Sequence, residues 1–434
     1  MLPYIRNLKK NLWNFTISRL FPFFGISIAA ALLAHKNIDD LPVFAYVLAI
    51  FSVVSTVFSM PLAAIGNIFH NKKKSLSAQE IFEDGFKIAL VFSVSSLVIA
   101  ASIIFFLSNT ESNGVSGHKL NLMSACYVLA VPLLVINTFL HIFHESSDGS
   151  SSCAKIKRKC TLLGCLVLLI SYLVIPNEFF LYFAIGYFPT VETFILISLI
   201  LLSKELGYIF FIKKGSKIFH DILVLGFPIA AGLAGQKIYY YLLNEKLLSI
   251  KASLAGDLSI CMSVIGCLLI PLTAFSQMHS VYASKNKSVE GKIYTQGIVT
   301  CTILVAVISV ALFIFGKPLF YIFGDGSLEF SKNTFFVVTL SIASSAYFML
   351  TTSHLRSMDD TLTPQIIINV VMLAILIPLI YFGVSNDASV YVFITMQATT
   401  VLIVTALLQF RVFTLNKRFK SSISVQAKPA VSGG

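Results

Sequence analysis

Charged residues are scarce in this chain. Asp, Glu, Lys and Arg together make up 12% of its 434 residues, whereas 56% of the residues are hydrophobic. A soluble domain carries about 25% charged residues, so this chain cannot cover its apolar surface in water. Apolar runs of about 20 residues, the length that crosses a bilayer, recur from Trp13 to the neighbourhood of Gln409. The composition excludes a soluble enzyme and predicts an all-α, polytopic membrane protein.

Several motifs are also missing. No Gly-x-x-x-x-Gly-Lys-Ser loop occurs, which argues against ATP-driven pumping by this chain alone. Asp359-Asp360 lacks the further acids of a metal-diphosphate site, so we predict no enzyme activity and no cofactor other than a coupling ion. The cysteines have no metal-ligand spacing, and disulfides are not expected; they are Cys126, Cys153, Cys160, Cys165, Cys261, Cys267 and Cys301.

The apolar runs predict twelve membrane-spanning helices. The first run is too long for a signal-peptide core and has no small-residue cleavage pattern, so we interpret it as a retained first helix. The predicted helices cover residues 13–34, 42–64, 88–108, 121–143, 160–177, 179–203, 219–243, 253–279, 293–315, 333–354, 364–383 and 389–411.

Basic residues lie in small clusters between the apolar runs. With the N-terminus inside, 24 of the 32 Lys and Arg residues fall in inner segments, 6 in outer loops and 2 within helices. Inner loops of membrane proteins carry such an excess of positive charge. The bias predicts a bacterial inner-membrane protein with both termini in the cytoplasm, surrounded by lipid. The net charge of +12 forms no single basic face, so no nucleic-acid partner is expected.

The two halves of the sequence share landmarks at similar spacing. Phe21-Pro22 matches Phe227-Pro228 at an offset of 206, and Pro61-Leu62 matches Pro271-Leu272 at an offset of 210. Lys74-Ser75 and Ser147-Asp148-Gly149 have counterparts at offsets of 213 and 211. The pattern predicts an N-terminal lobe (1–203), a cytoplasmic linker (204–218), a C-terminal lobe (219–415) and a disordered tail (416–434).

Two six-helix lobes in the same orientation are related by a pseudo-two-fold axis along the membrane normal. A substrate cavity then lies between them, and a channel is disfavoured because there is no ring of equivalent pore segments.

One segment carries a family resemblance. Leu355-Arg356-Ser357-Met358-Asp359-Asp360-Thr361-Leu362-Thr363-Pro364 resembles the Leu-Arg-Gly-x-Gly-Asp-Thr-x-x-Pro pattern between helices 10 and 11 of the multidrug and toxic-compound extrusion (MATE) family. Arg356, Asp360, Thr361 and Pro364 keep their spacing, and Ser357 and Asp359 replace the glycines. The resemblance extends to Pro228 in helix 7. The region from Asn11 to Asn14 is equally similar to lipid-linked polysaccharide flippases of the same superfamily.

The resemblance implies a monomeric antiporter that works by alternating access. Such a protein exports a small amphiphilic or organic compound while H+ or Na+ runs inward. Family members often carry an acid in helix 1 or helix 7, where this chain has Arg19 and Gln236-Lys237. That departure leaves a lipid-linked oligosaccharide flippase as the alternative function.

Ionisable groups within the spans are functional candidates because they are costly to insert. Glu192, in the middle of helix 6, is the deepest carboxylate in the chain. It is a candidate proton or sodium site, unless it makes only a structural hydrogen bond to a neighbouring helix.

A second group of candidates lies in helices 1, 7 and 8. Lys237 and Asp257 are expected at similar depth, either as a structural ion pair or as a cavity pair opened by protonation of Asp257. Arg19 either snorkels to the inner surface or faces the cavity. Polar side chains around Lys237 are the substrate-cavity candidates: Gln236, Tyr239 and Tyr240. The histidines at inner helix ends are candidates for a titrating role because their unperturbed pKa is near neutral: His141, His144 and His279.

The charge distribution makes a topology prediction that labelling can test. In intact cells, a membrane-impermeant maleimide should react with a single cysteine introduced at Asn113 or Asn386. It should not react with one introduced at Lys157 or Lys214. Labelling of the last two positions would overturn the helix assignment.

Overall fold

The computed structural model describes Tyr4, Leu12, Thr16 and residues 25–72, 75–108, 117–147, 150–211, 217–285, 290–358, 360–385 and 387–426. In these residues every regular element is helical. We call the side of the membrane that carries the basic clusters the inner side. The helices are α1 (Gly25–Lys36), α2 (Leu41–Ser59, continued by Met60–Ala64 and Ile65–Lys72), α3 (Ala78–Ser108), α4 (Gly117–Ser146), α5 (Ser150–Val174), α6 (Asn177–Glu205), α7 (Phe219–Ile250), α8 (Ala252–Lys285), α9 (Glu290–Gly324), α10 (Lys332–Ser357), α11 (Leu362–Gly383) and α12 (Val390–Gln426).

Ten of these helices are long and apolar enough to cross a membrane. Of the other two, α1 is described only from Gly25, and α5 begins with a basic stretch that leaves Cys160–Val174 as its apolar part. The helices therefore correspond one for one to the twelve that the sequence predicts, and the all-helical fold class is confirmed. Arg19 lies outside the described residues.

Several helices extend beyond their predicted ends. Helices α3 and α5 begin ten residues earlier than predicted, at Ala78 and Ser150, and α9 ends nine residues later, at Gly324. Helix α7 continues to Ile250, beyond its predicted end at residue 243, and α12 continues to Gln426. The tail predicted to be disordered is thus helical over residues 416–426, because adding a residue to an existing helix needs no new nucleus. Residues 427–434 lie outside the described part.

The same packing pattern occurs in both halves of the chain. In the first half α2, α3 and α6 all pack on α4, and in the second half α8, α9 and α12 all pack on α10. His144 of α4 and His354 of α10 are fully buried near the inner helix ends, and their spacing falls within the range of the sequence landmarks. Each lobe thus has one central helix, α4 or α10, with a buried histidine at the equivalent position. These matching features support the duplication.

The two lobes meet where α2 packs along α7 and α8. Towards the inner side, a Cβ on Gly226 of α7 would lie only 2.2 Å from the backbone oxygen of Pro61. Pro61 sits in a short 3-10 segment that interrupts α2. Towards the outer side, the ring of Tyr46 stacks on that of Tyr241 at 6.0 Å. Backbone thus touches backbone at one end of the interface and side chains fill the other.

Charged groups join the lobes at the inner surface. Lys72, at the end of α2, forms an ion pair with Asp221 in the first turn of α7. Lys217, just before α7, binds Glu80 of α3 through its ammonium group at 2.8 Å and donates its backbone N–H to Asp84 at 2.7 Å. These contacts attach the start of the second lobe to the first.

Asp360 connects three helices at the turn between α10 and α11. One carboxylate oxygen accepts the backbone N–H of Thr363 at 3.3 Å, and the other accepts a hydrogen bond from Arg411 of α12 at 2.9 Å. Pro364 is buried in the first turn of α11, where its missing N–H is tolerated. Arg356, which keeps its place in the sequence motif, is exposed, and Arg411 of α12 supplies the base that binds Asp360.

The Asp360 contacts predict a pH-dependent contribution to stability. Partial burial raises the pKa of Asp360, but hydrogen bonds from Thr363 and Arg411 outweigh that effect and hold the pKa below its usual value. A lowered carboxyl pKa stabilises the fold above the unfolded value, near pH 3.9, and the contribution is lost as pH falls through the folded value. Asp360→Asn should cost about 1–2 kcal/mol at neutral pH, with little change in substrate preference.

Thermal unfolding in detergent measures this loss, with Asp387→Asn as the control in an outer loop. Arg411→Gln should produce a similar loss, and the double variant should lose less than the sum of the two. A stable, fully folded Asp360→Asn protein without transport would contradict the structural role.

Candidate functional site

Glu192 lies deep in the first lobe, thirteen residues before the inner end of α6. The side-chain amide of Asn137, on α4, donates to its carboxylate at 2.7 Å and to its backbone carbonyl at 2.8 Å. The nitrogen end of the amide must face Glu192 because a carbonyl oxygen can only accept. Asn137 is itself buried. The contact joins α4 and α6 across the core of the lobe.

No cation pairs with the Glu192 carboxylate within the described part of the chain. The positive groups whose charge reaches it are Lys157 and, when protonated, His141. His141 lies one turn from Asn137 on α4 and faces both Cys153, at 2.8 Å, and Glu145, at 3.4 Å. The side chain of His141 is 20% exposed and that of Glu145 is 52% exposed. Asn137, His141 and Glu145 thus follow one another at four-residue spacing along α4 towards the inner surface.

The second lobe has a small polar pocket of about 110 Å³ between α7, α10, α11 and α12. The pocket contains three of the predicted cavity residues, Gln236, Tyr239 and Tyr240, together with Gln397 of α12. Gln397 donates to the hydroxyl of Tyr240 at 2.9 Å. The Tyr239 hydroxyl and the Gln397 carbonyl oxygen are buried and have no protein partner among the described residues. The pocket is thus polar, uncharged and incompletely hydrogen-bonded.

Close packing of α11 on α7 forms one wall of this pocket. Asn369 of α11 donates to the backbone carbonyl of Gly232 at 2.9 Å, and Gly232 and Gly235 leave room for this approach, since a Cβ at either would overlap α11. Immediately after Asn369, α11 becomes a π-helix over Val370–Leu376. Such segments are rare and often occur at functional sites.

Lys237 faces the space between the lobes. It lies eleven residues after Gly226, close to three helical turns, and one turn before Tyr241. Both of those residues contact α2 of the first lobe, so Lys237 shares their face of α7. Its side chain is exposed and forms no ion pair in the part of the chain that the structure describes. Lys237 is the cavity candidate that lies between the lobes.

The predicted pair of Lys237 and Asp257 does not form. Because α7 extends to Ile250, Lys237 lies thirteen residues, or about 20 Å, from the outer turn. Asp257 lies only five residues, or about 8 Å, into α8. The difference in depth separates the two charges. Asp257 is partly buried and remains a carboxylate without an ion pair among the described residues.

Three histidines occupy buried positions at the inner ends of the lobes: His144, His279 and His354. His144 bonds Ser203 at 2.8 Å. His279 lies between the Tyr4 hydroxyl, at 2.8 Å, and His354, at 3.2 Å. No group of three or more His, Cys, Asp or Glu residues that could hold a metal occurs within the described ranges.

The neutral partners in both lobes were not predicted from the sequence: Asn137, Asn369, Gln397 and Gln365, whose side-chain oxygen accepts a hydrogen bond from Gln236 at 3.5 Å. Each lies in an apolar helix. An ionisable residue in such a helix is rare enough to indicate a function, whereas a neutral amide is not. A possible signal was the spacing of Gln365 and Asn369, which places two amides on one face of α11.

Comparison by sequence identifies no related protein, because neither a protein-family model nor a curated protein matches the chain. Comparison by structure gives clear matches. The chain resembles a multidrug resistance MATE family transporter of the MOP superfamily in its inward-facing conformation, with a TM-score of 0.66, 13% identity and coverage of 94% of this chain and 95% of the other. An outward-facing conformation described in the same words matches with a TM-score of 0.64, 11% identity and coverage of 94% and 96%.

A third match is a MOP superfamily transporter from Pyrococcus furiosus, whose binding pocket is described as having reverse polarity that suggests a different function. Its TM-score is 0.64, at 10% identity and coverage of 94% and 96%. The chain is therefore a polytopic membrane protein of two six-helix lobes. Its fold is that of the MATE transporters of the MOP superfamily.

Proposed function

We propose that this protein is a secondary active exporter of the inner membrane, which moves a small amphiphilic compound outward by alternating access while H+ runs inward. The observation that carries the proposal is the Glu192 carboxylate, which lies deep in the first lobe and is bound by a neutral amide instead of a cation. Such a carboxylate can gain and lose a proton without breaking an ion pair. The matching fold has been described in inward- and outward-facing conformations, which supports alternating access.

The surroundings of Glu192 favour a proton over a sodium ion. Asn137 turns its N–H group to both the carboxylate and the carbonyl of Glu192. A metal cation needs oxygen atoms in those positions. His141 and Glu145 provide ionisable groups between Glu192 and the inner surface, as proton exchange with the cytoplasm requires.

Glu192→Gln tests the coupling. The amide keeps the size and the hydrogen-bonding capacity of the side chain but removes the titration, so substrate should still bind and exchange. Each charge moved across 100 mV contributes about 2.3 kcal/mol, which supports an accumulation of about fiftyfold. In reconstituted vesicles, Glu192→Gln should keep counterflow within about twofold of wild type while gradient-driven accumulation falls towards unity.

Glu178→Gln, at the exposed outer end of the same helix, should leave both assays unchanged. Full gradient-driven accumulation in Glu192→Gln would show that coupling lies elsewhere, and Asp257 would be the next carboxylate to test.

Lys237 bears on the class of substrate. It places an unpaired positive charge on the face of α7 that looks towards the other lobe, so an anionic or neutral compound suits the cavity better than a cationic one. The polar pocket beside it adds hydroxyl and amide groups without negative charge. We therefore propose an anionic or neutral amphiphile as the exported compound.

The same lysine favours one alternative function. A lipid-linked oligosaccharide carries phosphate next to its lipid, and an unpaired lysine binds phosphate well. A flippase for a polyprenyl-phosphate-linked intermediate would use Lys237 in this way. The structural relative with reversed pocket polarity shows that this fold accommodates more than one kind of pocket.

The role of Lys237 can be tested by measuring the binding of two dyes that share an apolar body and carry opposite charges. Wild-type protein should bind the anionic dye more tightly, and Lys237→Gln should weaken that binding about tenfold while the cationic dye changes little. Lys251→Gln, exposed at the outer turn, is the control. Equal binding of both dyes by wild type would contradict an anion-selective cavity. Much tighter binding of a polyprenyl phosphate than of the soluble anion would favour the flippase.

A further inference from the structure

A histidine and an aspartate join the two lobes on the outer side. His35 lies in the last turn of α1, in the first lobe, and Asp325 follows α9 in the second lobe. Nδ1 of His35 lies 3.0 Å from a carboxylate oxygen of Asp325. Nε2 of the same ring lies 2.9 Å from the backbone carbonyl oxygen of Ile322. We call His35 and Asp325 the outer pair.

Both ring nitrogens of His35 face groups that can only accept a hydrogen bond. A neutral imidazole has one N–H and one bare nitrogen, so it satisfies one of the two acceptors and sets a lone pair against the other. Only the imidazolium donates from both nitrogens. Both acceptors are therefore satisfied together only when the His35 ring carries two N–H groups.

The local backbone holds Asp325 in position for this contact. Its φ of 47° lies in the left-handed region, which is uncommon for a residue with a side chain, and Gly326 follows with a φ of 78°. The turn is closed by the N–H of Ser327, which donates to the carbonyl of Gly324 at 2.9 Å. Such a backbone conformation costs free energy, which the charged contact with His35 helps to offset.

Few other ionisable groups face the His35 ring. From α9, Tyr321 lies edge-on at 5.6 Å. Lys36, next in the chain, is turned away and donates to the carbonyl of Ile175. In the turn that follows α1, Asp40 is paired with Lys119 and Asp39 is exposed. Among the described residues, Asp325 is thus the only carboxylate that contacts His35.

Protons from the outer solution can reach the pair. The side chain of His35 is 21% exposed and that of Asp325 is 43% exposed. Both residues line a cleft of about 480 Å³ that also includes Asn37 and Ser327. The outer pair is therefore accessible to the solution outside the membrane.

We propose that the outer pair is a proton-dependent contact that holds the outer side closed: acid outside favours the closed arrangement, and neutral or basic pH favours opening. Protonated His35 is stabilised by Asp325 only while the lobes touch, so closure is strengthened as pH falls and weakened as it rises. In an exporter driven by inward proton flow, this contact would promote closure once protons are available outside. The inference rests on the proposed movement of the lobes, but not on Glu192 or on the substrate.

Distance measurements between spin labels test the proposal without a substrate. In a cysteine-free protein, one label pair at Glu178 and Asn333 reports the outer side, and a second at Lys155 and Lys292 reports the inner side. From about pH 8 to pH 5, where histidine ordinarily changes charge, the outer closed-to-open ratio should rise about two- to fivefold, the range of a partly exposed ion pair.

His35→Gln and Asp325→Asn should each abolish that pH dependence, since each keeps the size of the side chain and removes the charge. His220→Gln, an exposed histidine at the inner start of α7, should retain it. If the wild-type ratio moves with pH and both variants move equally, the outer pair is not the cause. If no distance changes with pH in any protein, the outer pair does not control closure, and the Glu192 transport assay still tests the proposed function separately.

Discussion

The hydrocarbon interior of a bilayer offers no hydrogen-bond partners, and this constraint shapes the whole molecule. Each crossing segment must satisfy its own backbone, which only a helix does within a single segment. Polar side chains must then find partners on neighbouring helices. Asn137 with Glu192, Asn369 with the carbonyl of Gly232, and Gln397 with Tyr240 are three such cases. Within each lobe, polar contacts join helices that apolar packing alone would hold less specifically.

The two lobes meet this constraint differently, although they share one plan. The first lobe places a carboxylate against an amide, whereas the second assembles amides and phenols around a small pocket and has no acid there. The asymmetry divides the proposed tasks: the first lobe handles the proton, and the second offers neutral groups to a ligand. Lys237 stands between them, on the face of α7 that looks towards the first lobe. The charge of Lys237 therefore lies where the two lobes approach each other.

The sequence was sufficient for the number of helices and the two-lobe arrangement, because hydropathy and recurring landmarks are readable residue by residue. It also singles out Glu192 as a carboxylate within a span, and the role of Glu192 stays a prediction. The base that binds Asp360 was not readable, since Arg411 belongs to a helix 51 residues away and only the fold brings it near. The Lys237–Asp257 pair failed for a local reason: the polar residues Asn244, Glu245 and Lys246 interrupt the apolar run, whereas α7 continues through them to Ile250. The π-helix in α11 begins directly after the contact of Asn369 with α7, and no residue pattern identifies it.

The contact between Gly226 and the backbone of Pro61 has a mechanical consequence. With no side chain between them, the two backbones approach more closely here than a residue with a Cβ would allow, so this point is suited to act as a fulcrum. Leu41, at the outer end of α2, lies twenty residues away, or about 30 Å along the helix. A rigid-body rotation of about 15° around the fulcrum would carry the outer end ~8 Å. A displacement of that size exceeds the reach of any hydrogen bond, so the outer contacts would break together, and intermediate openings would be short-lived.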